Sequence, residues 1–184
     1  MTSFDTWPPI RIAGTGSYVP ERVVTNAELV APGPETTEEW IVDHTGIRER
    51  RWAGEEEDTS SMAVAAARRA LASADLHVDE VDLSVLATST PLWHQPATAT
   101  AVHHALGMRP DAGAFDLGAV CSGFVYGLHV GASMLAAGEA WTSVLVVGAG
   151  TPYKSVAEVV AAAKAQPGRL VYGSAGNGNS MHLA

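Results

Sequence analysis

Cys121 is the single cysteine of the sequence. It stands in the run Asp116-Leu117-Gly118-Ala119-Val120-Cys121-Ser122-Gly123-Phe124, which passes from a strand-like stretch into a long helix-like one. A thiolate attacks acyl carbons. The first turn of a helix favours negative charge, because its backbone N–H groups lack intrahelical partners and the helix dipole is positive there. The small residues around the thiol let backbone and acyl chain approach closely. The backbone N–H of Cys121 is placed to donate to a bound carbonyl oxygen, as one member of an oxyanion hole. Acyl transfer through an enzyme thioester suits this arrangement. Cysteine also fills apolar cores as a small hydrophobe, and residue type and position leave both roles open. A lone Cys forms no intramolecular disulfide, and no Cys or His stands beside it at zinc-ligand spacing, so no metal site is expected.

No partner base for that thiol can be assigned among the seven histidines. His129 lies on the same expected helix, about 12 Å along the axis from Cys121 at 1.5 Å per residue, beyond hydrogen-bond reach. His103 and His104 fall on a separate helix with a surface or capping role, and His77 and His94 fall in loops. Arg48, Arg50 and Arg51 form a local basic cluster, for which a solvated loop is the commoner reading.

The elements that must position Cys121 follow from the surrounding pattern. Val81 to Thr88 reads as a buried strand and Ala114 to Leu117 as another. Between them, Pro96 to Leu106 reads as a helix begun by proline and ended at Gly107. From Ser122 to Ala137 nearly every side chain is apolar or small, with Gly123, Gly127 and Gly131 recurring every fourth residue. One face of that helix carries nothing to hold neighbours away, so it should lie buried in the centre. Ser143 to Val147 is a near-continuous aliphatic strand, as parallel sheets covered on both faces require. Upstream, Ile10 to Gly16 suits an inner strand. Thr37 to Val42 makes a short helix capped by Thr36 or Thr37 and stopped near Gly46. An alanine-rich helix runs from Ser60 to Ser73, with caps at Asp58 to Ser60 and a wetter side at Arg68 and Arg69. Alternating elements of this kind give an α/β architecture. After Thr151 come an expected helix, Pro152 to Lys164, a short strand, Leu170 to Tyr172, and a glycine-rich loop, Gly173 to Asn179.

Bulk properties narrow the function. The 184 residues, 47% hydrophobic and 17% charged, suit one folded domain with a buried core. Eleven Lys and Arg against twenty Asp and Glu give a net charge of -9, whose mean field repels a phosphate backbone and argues against a nucleic-acid partner. Met1 to Ile10 lacks the pattern of a signal peptide, and no stretch reads as a bilayer span, so a cytoplasmic protein with no membrane partner is expected.

The run Asp116 to Leu128, DLGAVCSGFVYGL, is similar to the nucleophile segment of the type III beta-ketoacyl synthases, condensing enzymes of the thiolase fold. Thr37 to Arg50, TEEWIVDHTGIRER, resembles the same family's early segment, and the order of elements between the two agrees. The resemblance covers about Arg11 to Gly150. It implies the N-terminal half of an α/β, thiolase-like fold, mainly a parallel sheet with a buried nucleophile helix. It implies that Cys121 is acylated from a coenzyme A thioester. The acyl group then condenses with malonyl on acyl carrier protein as carbon dioxide is lost. Coenzyme A enters as substrate, no cofactor is bound covalently, and the expected partners are acyl-CoA, acyl carrier protein and either a second copy or a completing chain.

By the same resemblance Trp40 stacks on the adenine of coenzyme A, Thr36 lies at a nearby coenzyme-contacting position, and His44 replaces an arginine near the nucleotide. Trp40 is equally readable as a helix residue packed on the core. Gln95, with Trp93 nearby, replaces an aromatic that reaches a partner's acyl pocket. The catalytic His and Asn of the family come from its second half, so no residue here takes those roles. Pro152 to Ala184 resembles an internal stretch of the periplasmic solute-binding proteins of tripartite tricarboxylate transporters, where a loop like Gly173 to Asn179 offers N–H groups to a carboxylate. The expected organisation is therefore 1–150, ketosynthase-like, and 151–184, an appended segment, as in a truncated or fused reading frame. Besides the condensing enzyme, a non-catalytic ketosynthase-like subunit and a carboxylate-binding module stay open.

Overall fold

The computed structural model describes residues 10–31, 36–137 and 142–148. The run Leu83-Ser84-Val85-Leu86 has no exposed residue because it forms the middle of a parallel sheet. This strand, β3 (Leu83–Ala87), pairs with β4 (Gly113–Leu117) on one side and β5 (Val144–Val147) on the other, Leu83 lying opposite both Gly113 and Val144. Strand side chains alternate between faces. Leu86, Leu145 and Val147 therefore meet Ala63, Val64 and Ala67 of α3 (Thr59–Ala74) and Ala99 and Val102 of α4 (Thr98–Leu106), forming the main core. Each large aliphatic side chain buried there contributes roughly 1.5–3 kcal/mol.

The opposite face, with Val85, Val144 and Val146, meets the glycines of α5 (Gly123–Ala137). A Cβ on Gly127 would come within 2.9 Å of Val146 Cγ1, and one on Gly131 within 3.0 Å of Val144 Cγ1. The four-residue glycine spacing thus lays this helix directly on the strands. Only the glycines of α5 are buried, however. Val125 is 64% exposed and Tyr126 56%, which corrects the expectation of a centrally buried helix. The glycine face takes the sheet, and among the described residues nothing covers the rest. Val120–Ala137 is also long and apolar enough, by length and composition alone, to cross a bilayer, contrary to the sequence reading; here its glycine face packs on the chain's own sheet.

Local chemistry sets the boundaries. The Asp58 carboxylate accepts from Ser61 N–H at 2.7 Å and opens α3 one residue before the expected start. Thr37, not Thr36, caps α2 (Glu38–Thr45), accepting from Trp40 N–H at 3.2 Å, and Gly46 ends it at φ 71°. Pro96 follows a cis bond from Gln95 and precedes α4 rather than beginning it. Asp82 closes the base of the sheet. Its carboxylate accepts from the Arg109 guanidinium at 2.6 Å and from the Thr142 and Ser143 N–H groups at 2.7 and 3.2 Å.

Upstream of α3 the chain departs from expectation. Ile10 to Gly16 is no inner strand: Ile10 and Ile12 are 39% and 47% exposed, and no ladder forms. The segment lies along α3 instead. A Cβ on Gly16 would meet Ala66 O and Ala70 N at 2.3 Å, so glycine permits a backbone approach that leaves no room for strand pairing. An unexpected hairpin follows, β1 (Arg22–Thr25) pairing antiparallel with β2 (Glu49–Trp52), with α1 (Asn26–Val30) between β1 and α2. Two members of the basic cluster, Arg50 and Arg51, lie in β2 rather than in a solvated loop, while Arg48 precedes the strand and is exposed. Arg50 donates to Val24 O and to Asn26 Oδ1, and Arg51 to Pro20 O and Glu21 O.

Candidate active site

In a parallel sheet the strands share a carboxyl end, and loops leaving it gather around whatever binds there. Here that end receives Cys121. β4 stops at Leu117, a 3₁₀ turn spans Val120–Ser122, and α5 begins at Gly123. A Cβ on Gly123 would lie 3.2 Å from Ala87 Cβ, so the first turn of α5 rests on the end of β3. A Cβ on Gly148, just past β5, would lie 2.9 Å from Phe124 Cδ2 of the same turn. All three strands thus end around the turn that carries the thiol, and the Cys121 side chain is free and exposed.

The turn is strained. Val120 adopts φ 46°, a left-handed backbone that a β-branched residue rarely takes and that costs about 1–3 kcal/mol. Ser122 N–H donates to Ala119 O at 3.0 Å and closes the turn. This turn joins β4 to α5 and leaves the Cys121 side chain exposed two residues before the helix begins.

Asp116 supports the same corner in a way the sequence did not disclose. Its two carboxylate oxygens accept from Thr98 N–H and Ala99 N–H, each at 2.7 Å, so a strand residue caps the N-terminus of α4. The absence of a capping side chain at Ala97 was the available signal. The loop that links β3 to α4 leaves the same sheet end and carries Trp93, 52% exposed, and Gln95, also exposed.

The remaining expected site residues sit on α2. Trp40 is 50% exposed, not packed in the core. His44, one turn on, lies flat against it, ring centroids 4.2 Å apart at 18°. Thr36 is half-buried, and its Oγ1 is fully covered with no hydrogen-bond partner among the described residues. Trp40 and His44 therefore form one unit, while Cys121 belongs to a separate element. His103 Nε2 lies 2.9 Å from Arg109 O, and His77 caps the 3₁₀ turn Val78–Glu80, so both serve local structure. Among the described residues no group of His, Cys, Asp and Glu could hold a metal.

Known proteins are similar to this chain in sequence and fold. The chain is 56% identical over 140 residues to the beta-ketoacyl-[acyl-carrier-protein] synthase III of Rhodospirillum rubrum, covering 76% of this chain and 43% of that protein. It is 52% identical over 141 residues to the protein of that name from Thiobacillus denitrificans, covering 77% and 44%. Over the matched portion, the chain is similar to the beta-ketoacyl-[acyl-carrier-protein] synthase III proteins. Crystal structures agree. The 3-oxoacyl-[acyl-carrier-protein] synthase III of Aquifex aeolicus superposes with a TM-score of 0.68 at 43% identity, over 74% of this chain and 43% of that one. The Thermus thermophilus synthase III gives 0.63 at 40% identity, over 68% and 38%. The fold is thus thiolase-like α/β, and the chain spans less than half the length of these synthase III relatives. A family model, "Tripartite tricarboxylate transporter family receptor", matches residues 132–184. That match begins inside α5, earlier than the expected boundary at Thr151, and most of it lies outside the described residues.

Proposed function

We propose that the protein is an acyl-transferring condensing enzyme of the synthase III type, in which Cys121 is the nucleophile. The Cys121 thiolate attacks the carbonyl carbon of an acyl-CoA; the bond to the coenzyme sulfur breaks, and coenzyme A leaves. Loss of carbon dioxide from malonyl on acyl carrier protein supplies the electron pair that attacks the acyl carbon, and the Cys121 thiolate departs as the carbon–carbon bond forms. The observation that carries this reading is the exposed Cys121 in a strained turn, where the parallel strands end and α5 begins.

Trp40, Thr36 and His44 are the proposed coenzyme contacts, supported by the exposed indole and by a Thr36 hydroxyl with no partner among the described residues. The proposed setting is cytoplasmic and dimeric, or completed by another chain. A second reading, a non-catalytic subunit that keeps the fold, draws support from the uncovered face of α5. Residues 151–184 are proposed as an appended segment, with the receptor-family match as its support.

Intact mass after incubation with acetyl-CoA and longer acyl-CoAs tests the main reading. A single acyl adduct is expected, absent from Cys121→Ala. No adduct on a folded sample would move the assignment to the non-catalytic subunit.

A further inference from the structure

In a helix, side chains four residues apart lie on one face. His44 uses that spacing twice against Trp40. Its ring lies parallel to the indole, 4.2 Å away and 18° from coplanar, and its Nδ1 lies 2.8 Å from the Trp40 carbonyl oxygen. A carbonyl only accepts, so Nδ1 carries the hydrogen and the imidazole is pinned to its own helix turn. One ring face and one ring nitrogen of His44 are thereby engaged, leaving Nε2 and the outer face. The indole in turn has one side backed while half of its surface stays exposed.

We propose that His44 is a positioning residue for Trp40: it backs the indole so that the ring is held ready for a flat heteroaromatic group of the ligand. This rests on the reading of α2 as the coenzyme site, and it gives His44 a role exerted through Trp40 in place of a direct contact with the coenzyme. Fixing an exposed side chain before binding removes a cost otherwise charged against affinity, and stacking then adds to it.

The test uses the full chain labelled with 5-fluorotryptophan, the Trp40 fluorine signal being identified by its loss in Trp40→Phe. His44→Ala is expected to move that signal and to weaken coenzyme A binding, measured by calorimetry, about two- to tenfold, the range set by immobilising one side chain. Pantetheine, which lacks the purine, should lose nothing. His44→Phe keeps a flat ring and should stay close to the parent in both measurements. An unmoved fluorine signal in His44→Ala, or an equal loss for coenzyme A and pantetheine, would overturn the proposal. If the parent chain takes up neither compound, the coenzyme reading of α2 falls, and the fluorine signal alone decides whether His44 holds the indole.

Discussion

Asp82 shows how much one side chain organises here. Burial works against its charge, yet the Thr142 and Ser143 N–H groups, the Thr142 hydroxyl and the Arg109 guanidinium outweigh it and hold the carboxyl below the usual carboxylate range. Because the folded-state value is depressed, the tie stabilises the fold above the unfolded-chain value of about pH 4 and fades as pH falls through the folded value. Asp82→Asn should cost about 2 kcal/mol at neutral pH in urea titrations and should flatten the acid limb of the stability profile. An unchanged acid limb would assign that limb to other carboxylates. Nothing in the local sequence announced this role, since Asp82 fell inside the expected strand Val81 to Thr88 and its partners lie far along the chain. Cys121 was legible as a candidate from its place between strand and helix. Asp116 and Val120 were not: the bare Ala97 signals that α4 lacks a cap of its own but not which residue supplies one, and a positive φ at a valine leaves no local signature.

At the scale of elements, period and caps explain what could be read. α2, α3, α4 and the three parallel strands fall within two residues of expectation, the helices each bounded by a cap or a glycine. The β1–β2 hairpin was hidden because Glu49-Arg50-Arg51-Trp52 carries charge where a strand pattern calls for alternation, and it is held by arginine bonds to backbone carbonyls. Ile10 to Gly16 misled for the opposite reason: a backbone lying against a helix needs the same apolar, glycine-punctuated sequence as a strand. The glycine seam of α5 gives a direct test. Gly127→Ala gains helix propensity of about 1 kcal/mol, but forcing a methyl against Val146 costs about 1–3 kcal/mol. The variant should melt earlier, and adding Val146→Ala should recover part of the loss. Additive effects in that pair would mean the helix moves away from the sheet freely.

The molecule as a whole presents one large unmet demand. The sheet is covered on both faces, yet α5 offers Val125 and Tyr126 to solvent, and the turn before it offers Val120, all more than half exposed. Apolar surface of that extent favours association. Sedimentation velocity at tens of micromolar should show dimers or larger species, and Val125→Lys with Tyr126→Lys should shift them towards monomer. A sharply monomeric parent chain would contradict this. The sequence disclosed the composition of this helix but not its exposure, since an all-apolar helix reads as buried until its neighbours are known.

The sheet order also bears on how the chain is made. The central strand, β3, waits for β5, which pairs with it, and the Asp82 carboxylate waits for Ser143, 61 residues downstream. Leu145 and Val147 are needed to fill the core under α3 and α4. During synthesis, therefore, α3, β3, α4 and β4 leave the ribosome before the strand that completes their shared core, and closure of that core falls to a late, non-local step. Until β5 is clear of the exit tunnel, the nascent chain holds its most apolar strand with one edge open, which makes this interval the one in which a chaperone has most to do.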